Sequence, residues 1–122
     1  MITLSLLHPI HLLPVQSWTF DSKIIGIGRA RDNDIVLYSA FVSAYHAELH
    51  RQSWGWEVVS MSSDGIYANN QAVSRCQARN SMILRLSSWG PRLQIQLSPA
   101  ASSQAPYLSP QKRSLGETTK AS

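Results

Sequence analysis

The sequence predicts an all-β fold, an antiparallel β-sandwich of about 10–11 short strands with no substantial helix. Three observations carry that expectation. Apolar residues recur with a period of two, the signature of strands, and not with the helical period of about 3.6. Short β-rich runs alternate with turn residues at regular spacing. The chain of 122 residues is 43% hydrophobic and 15% charged, the balance of a globular domain large enough to bury a core without staples.

At the N-terminus Ile2, Leu4 and Leu6 alternate and read as a half-buried strand that Pro9 and Pro14 interrupt. Lys23–Ile27 and Ile35–Leu37 follow as β-rich runs, joined by the turn Arg31-Asp32-Asn33-Asp34. Ala47–Arg51 alternates, and after the turn Gln52-Ser53-Trp54-Gly55 comes Trp56–Val59. Ser63-Asp64-Gly65 is a further turn signal. Asn69-Asn70 suits a two-residue hairpin, because asparagine tolerates positive φ. Met82–Leu86, the turn Gly90-Pro91 and the strict alternation of Arg92–Ser98 complete the series, with Leu93, Ile95 and Leu97 on one side.

Two regions are expected: a sandwich domain over 1–98 and a disordered Ser/Pro/Ala-rich tail over 99–122. The tail is too poor in apolar residues to offset its ordering entropy. The single Cys76 forms no internal disulfide, so a reducing, cytoplasmic location is expected. The apolar start lacks a basic n-region and a small-residue cleavage site, and no run approaches the ~20 apolar residues of a membrane helix. The net charge of +4, with 8 Arg against 3 Lys, is a mild bias toward anionic partners.

Enzyme and metal chemistries fail on spacing. His46 and His50 would lie roughly 13 Å apart along a strand at ~3.3 Å per residue, too far for one zinc. His8 and His11 span a proline with no third ligand nearby, and Cys76 has no histidine close in sequence. Gly26-Ile27-Gly28 lacks the third glycine and the helix of a dinucleotide fingerprint. No catalytic residue, metal site or cofactor is expected.

Binding remains. Ile24–Leu37 contains Ile27-Gly28-Arg29 at a strand end and Asn33-Asp34-Ile35-Val36-Leu37 at the start of the next. Ser43-Ala44-Tyr45-His46 follows, then Ser62-Ser63-Asp64-Gly65-Ile66-Tyr67-Ala68-Asn69. This succession resembles the forkhead-associated (FHA) family: an Ile-Gly-Arg strand end, an Asn-Asp-Ile-Val-Leu strand, a Ser-x-x-His step and an Asn-Gly-Thr-type turn. The resemblance runs from about Ile24 to Val73 and implies an FHA-like sandwich whose loops hold a phosphothreonine peptide. It implies phosphate contact at Arg29, Ser43 and Ser63, with Ala44 and Asp64 beside the ligand. Gly28, His46, Gly65 and Asn69 are implied to support the binding loops, His46 as a histidine whose ring is bonded to backbone.

The chemistry stands without the family. A phosphothreonine carries about −1.5 to −2 charge and three acceptor oxygens. An arginine fork, a short hydroxyl and a free backbone N–H form a fitting cradle, and loops on a rigid sandwich are good places for one. Four positions depart from the family pattern. Asp64 replaces an Asn, so an amide donor is lost and a negative charge is set near a dianion. Ala44 removes a side-chain donor but keeps its N–H. Ile66 stands where Thr is usual, and Asn70 where Gly is usual. Phe41 and Tyr45 add apolar contact.

The expected function is a phosphopeptide-binding module, not an enzyme, that recognises threonine-phosphorylated proteins in serine/threonine kinase signalling. The alternative is a divergent FHA scaffold that binds proteins without phosphate, motivated by Asp64. Nucleic-acid binding rests only on net charge and Lys112-Arg113, so neither nucleic acid nor membrane is an expected partner.

Overall fold

A computed structural model describes residues 1–98; the expected tail, with Lys112-Arg113, lies outside the described residues. Eleven strands, and no helix among the described residues, form two sheets. The first has the order β2-β1-β11-β10-β7-β8, the second β4-β3-β5-β6-β9. The strands are β1 (Ile2–Leu7), β2 (Pro14–Phe20), β3 (Ile24–Gly28), β4 (Ile35–Val36), β5 (Ala47–Gln52) and β6 (Gly55–Ser60). They continue with β7 (Ile66–Ala68), β8 (Gln71–Val73), β9 (Arg75–Gln77), β10 (Ile83–Leu86) and β11 (Arg92–Leu97). Every pairing is antiparallel except β3 with β4, which run parallel with Ile27 opposite Ile35.

Alternation decides what is buried. Leu93 and Ile95 on β11, Leu84 on β10 and Ile2 and Leu4 on β1 meet Ile25, Ile27, Leu49 and Val58 of the second sheet, all with no exposure. At roughly 1.5–3 kcal/mol per fully buried aliphatic side chain, this layer is the dominant favourable term of the fold. At Leu6 the expected alternation breaks. Leu6 is half-buried and Leu7 is buried, because the pairing of β1 with β2 shifts register between them. Such a bulge turns the next side chain to the other face.

Pro14 does not end the first hairpin but opens β2, an edge strand, where its missing N–H costs no ladder bond. The Asn69-Asn70 turn is the expected two-residue hairpin: Ala68 pairs with Gln71, and the two asparagines have φ of 48° and 70°. Three connections gather at one end of the sandwich: the β3–β4 turn, the β4–β5 loop with Ser43, and the β6–β7 turn with Gly65.

Candidate functional site

Hydrogen bonds between backbones fix the first two connections against each other. Arg29 N–H donates to Ser43 O at 3.0 Å, and Ala30 N–H to Ala44 O at 3.1 Å. Gly28 is required by this approach, since a Cβ there would lie 2.2 Å from Ala44 O. Asn33, from the turn after Arg29, ties the same loops with its amide. Its Nδ2 donates to Ala30 O and to Ala44 O, both at 2.8 Å. Asp34 completes the turn by accepting the Gly26 N–H at 2.7 Å.

His46 fixes the third connection. Its ring is fully buried, its Nδ1 accepts the Ser43 N–H at 3.0 Å, and its Nε2 donates to Gly65 O at 2.8 Å. One imidazole in one tautomer therefore holds the Ser43 loop and the Gly65 turn at a set separation. Its own backbone bonds to Ile27 O and to the Met61 N–H, so the ring stands on the second sheet. Gly65, at φ +79°, adopts the conformation that closes the turn, with its N–H on Ser62 O at 3.1 Å.

These anchors place three polar side chains in a closed ring. Ser43 Oγ and Ser62 Oγ are 2.6 Å apart, Ser43 Oγ donates to Asp64 Oδ2 at 3.2 Å, and Asp64 N–H donates to Ser62 Oγ at 3.1 Å. Since the Ser43 proton is directed at Asp64, the Ser62 hydroxyl supplies the proton of the Ser43–Ser62 bond. Arg29 is exposed and its side chain makes no hydrogen bond or ion pair among the described residues. The Ala44 N–H likewise meets no acceptor there. The end of the sandwich thus offers a free guanidinium, a free N–H and two hydroxyls whose protons can be redirected.

The structure brings Arg29, Ser43, Ala44 and Asp64 together, with Gly28, His46 and Gly65 beneath them. Ser63 is exposed and bonded to nothing among the described residues, whereas its neighbour Ser62 joins the ring. Asn69 lies in the β7–β8 turn, where its Oδ1 accepts the Ile83 N–H at 2.9 Å and supports β10 rather than the Ser43 loop. Sequence reasoning did not single out Ser62 or Asn33. Both sit in turn-forming runs, and only the turn geometry distinguishes them from their polar neighbours.

A family model described as the FHA domain matches residues 25–87, just over half of the chain. The chain belongs to the FHA domain family. Solved FHA domains share its fold. The FhaA FHA domain in complex with the intracellular domain of Rv3910 is 21% identical, covering 79% of this chain and all of that one, with a TM-score of 0.67. An FHA domain solved for its phosphothreonine-dependent interactions is 21% identical over 80% of this chain and 97% of its own, with a TM-score of 0.69. EmbR of Mycobacterium tuberculosis, in complex with a low-affinity phosphopeptide, is 22% identical over 83% of this chain and 26% of its own, with a TM-score of 0.66. No curated protein matches the sequence.

Around the ring this FHA domain has further features. Tyr45 donates its phenol to both Asp32 carboxylate oxygens at 3.0 Å, and that hydrogen bond, with the Asp32 charge, pushes its pKa above 10. The pair braces the Ser43 loop against the β3–β4 turn. A groove of about 240 Å³ lined by Phe41, Asp64, Ser87 and Trp89 opens beside the ring. Cys76 lies on β9, and burial pushes its thiol up, against a reactive role. Among the described residues no cluster of three His, Cys, Asp or Glu could hold a metal, and no helix is long and apolar enough to cross a membrane.

Proposed function

We propose that this FHA domain is a reader of phosphothreonine on partner proteins, with no catalysis of its own. The observation that carries the reading is the Ser43–Ser62 hydroxyl pair at 2.6 Å, joined to Arg29 through the Arg29 N–H on Ser43 O, with the Arg29 guanidinium and the Ala44 N–H unpaired among the described residues. Together they offer the fork, hydroxyls and amide that a phosphate with three acceptor oxygens requires. The β-methyl of threonine meets apolar neighbours in Phe41 and Tyr45, both about half exposed. The partner is a substrate of a serine/threonine kinase, and the reducing compartment suited to the unpaired Cys76 makes the cytoplasm the proposed location.

A second reading follows from one contact. Asp64 already accepts the Ser43 proton, so an anion is present where a phosphate oxygen would seek that donor. On this reading the domain is a scaffold that binds proteins without phosphate. Calorimetry with degenerate peptide pools, identical except for phosphate on a central threonine, separates the two. The phosphorylated pool is expected to bind and the other not; equal heats from both would leave the scaffold reading in place.

A further inference from the structure

On the other side of Trp89 from the Ser43 ring lies a second groove, of about 420 Å³, between the β1–β2 and β10–β11 loops. Leu7, Pro9, Val15 and Pro91 give it apolar walls, and Arg85 and Arg92 supply its charge. These two arginines are direct cross-strand partners, Arg85 on β10 opposite Arg92 on β11. Like charges placed opposite each other destabilise a strand pair. Neither has a carboxylate within ion-pair distance among the described residues. Arg85 Nε donates to Gly90 O at 3.0 Å, and its guanidinium lies over the Trp89 ring at 5.9 Å, so it is held and not free to swing away. Burial and, after it, the Arg92 charge work against the Arg85 cation and lower its pKa. The fold thus keeps two cations face to face in an apolar cleft, with no carboxylate among the described residues to neutralise them.

Trp89, three-quarters exposed, lines both this groove and the one that holds Asp64, while Ser39 faces the first and Ala40 and Phe41 the second. The two clefts are therefore neighbours across one side chain. We propose that the Arg85–Arg92 groove takes an acidic, apolar segment of the same protein whose phosphothreonine the Ser43 ring holds, its carboxylate bridging the two guanidinium groups. This rests on the phosphothreonine reading of that ring. Charge argues against other occupants. Residues 99–122 carry Lys112, Arg113 and Lys120 against Glu117 alone, and a second copy of a chain of net charge +4 brings the wrong sign.

The test uses the full chain and three probes: a phosphothreonine peptide pool with neutral flanks, the same pool extended on either side by a segment of alternating Glu and Leu, and the extended pool without phosphate. The extended phosphopeptide is expected to bind about tenfold more tightly than the neutral one. Arg92→Gln is expected to remove that gain, leave the neutral phosphopeptide unchanged, and raise Tm by about 1–3 °C through relief of the like-charge pair. Arg29→Ala is expected to weaken both phosphopeptides. Equal affinity of the two in the wild type, or a gain that survives Arg92→Gln, overturns the proposal. So does binding to phosphatidylserine vesicles that Arg92→Gln abolishes while the extension gains nothing, which would make the groove a lipid site. If the neutral phosphopeptide fails to bind the wild type, the phosphothreonine reading has failed by itself. The unphosphorylated extension then decides the groove: binding lost in Arg92→Gln supports it, and no binding overturns it.

Discussion

Two short polar turns flank β7, Ser62–Gly65 before it and Asn69-Asn70 after it, and they lead to different ends. Both use positive φ, at Gly65 in one and at both asparagines in the other. In the second turn the polar side chain is committed to its own sheet, since Asn69 Oδ1 takes the Ile83 N–H of the neighbouring strand. In the first, Ser62 and Asp64 bond across space to Ser43, a residue of a different loop, and all three can exchange those bonds for a ligand. What separates a structural turn from a candidate binding turn here is the identity of the acceptor. A strand amide that has no other partner locks a side chain in place, while a neighbouring hydroxyl does not.

The largest expected effect breaks the clamp that holds the first turn to the Ser43 loop. His46→Ala removes a buried ring and leaves Ser43 N–H and Gly65 O without partners, so a loss of about 3–5 kcal/mol is expected. At about 4–8 °C per kcal/mol that is a fall in Tm of more than about 12 °C, readable by thermal denaturation. A loss below about 1 kcal/mol would remove His46 from its role as clamp. Next comes Arg29→Ala, expected to weaken the phosphothreonine pool more than about tenfold in calorimetry while stability changes by less than about 0.5 kcal/mol. A stability loss of the same size as the affinity loss would mean that Arg29 supports the loop instead. Asn69→Ala should do the reverse, costing about 1–2 kcal/mol through the lost bond and the left-handed backbone, with affinity unchanged. The smallest effect belongs to Asp64→Asn. Freed from a carboxylate, the Ser43 proton can turn to phosphate, so affinity should rise about two- to fivefold at low salt, and the gain should shrink toward 1 M salt. Tighter binding that persists at high salt would point to a new amide contact in place of charge relief.

Much of this fold was legible because period-two burial dictates strands wherever one face is covered, as on β5, β6 and β11. Where a strand lies at an edge that logic fails. On β2 no residue is fully buried, and only Trp18 and Phe20 at its end alternate against the core, while Pro14 to Ser17 are all exposed. The three-residue strands β8 and β9 are too short for a period to show. At the site, Gly28 and His46 were marked by their motif, and the structure gives the reasons: a Cβ without room and a ring bonded at both nitrogens. The Asn33 amide, which spans two loops, and the choice of Ser62 over Ser63 as the partner of Ser43 depend on where a turn aims its side chains. Nothing in a run of consecutive serines encodes that aim.

The bonds that join Arg29 to Ser43, and His46 to Gly65, connect residues far apart along the chain. Contacts of this kind form late, because the entropy of closing the intervening loops must be met first. The hydroxyl ring cannot exist on a half-built sandwich. The phosphothreonine binding proposed for this domain would therefore read out completed folding, and a nascent or partly unfolded chain is expected to ignore a phosphorylated peptide that the folded one holds.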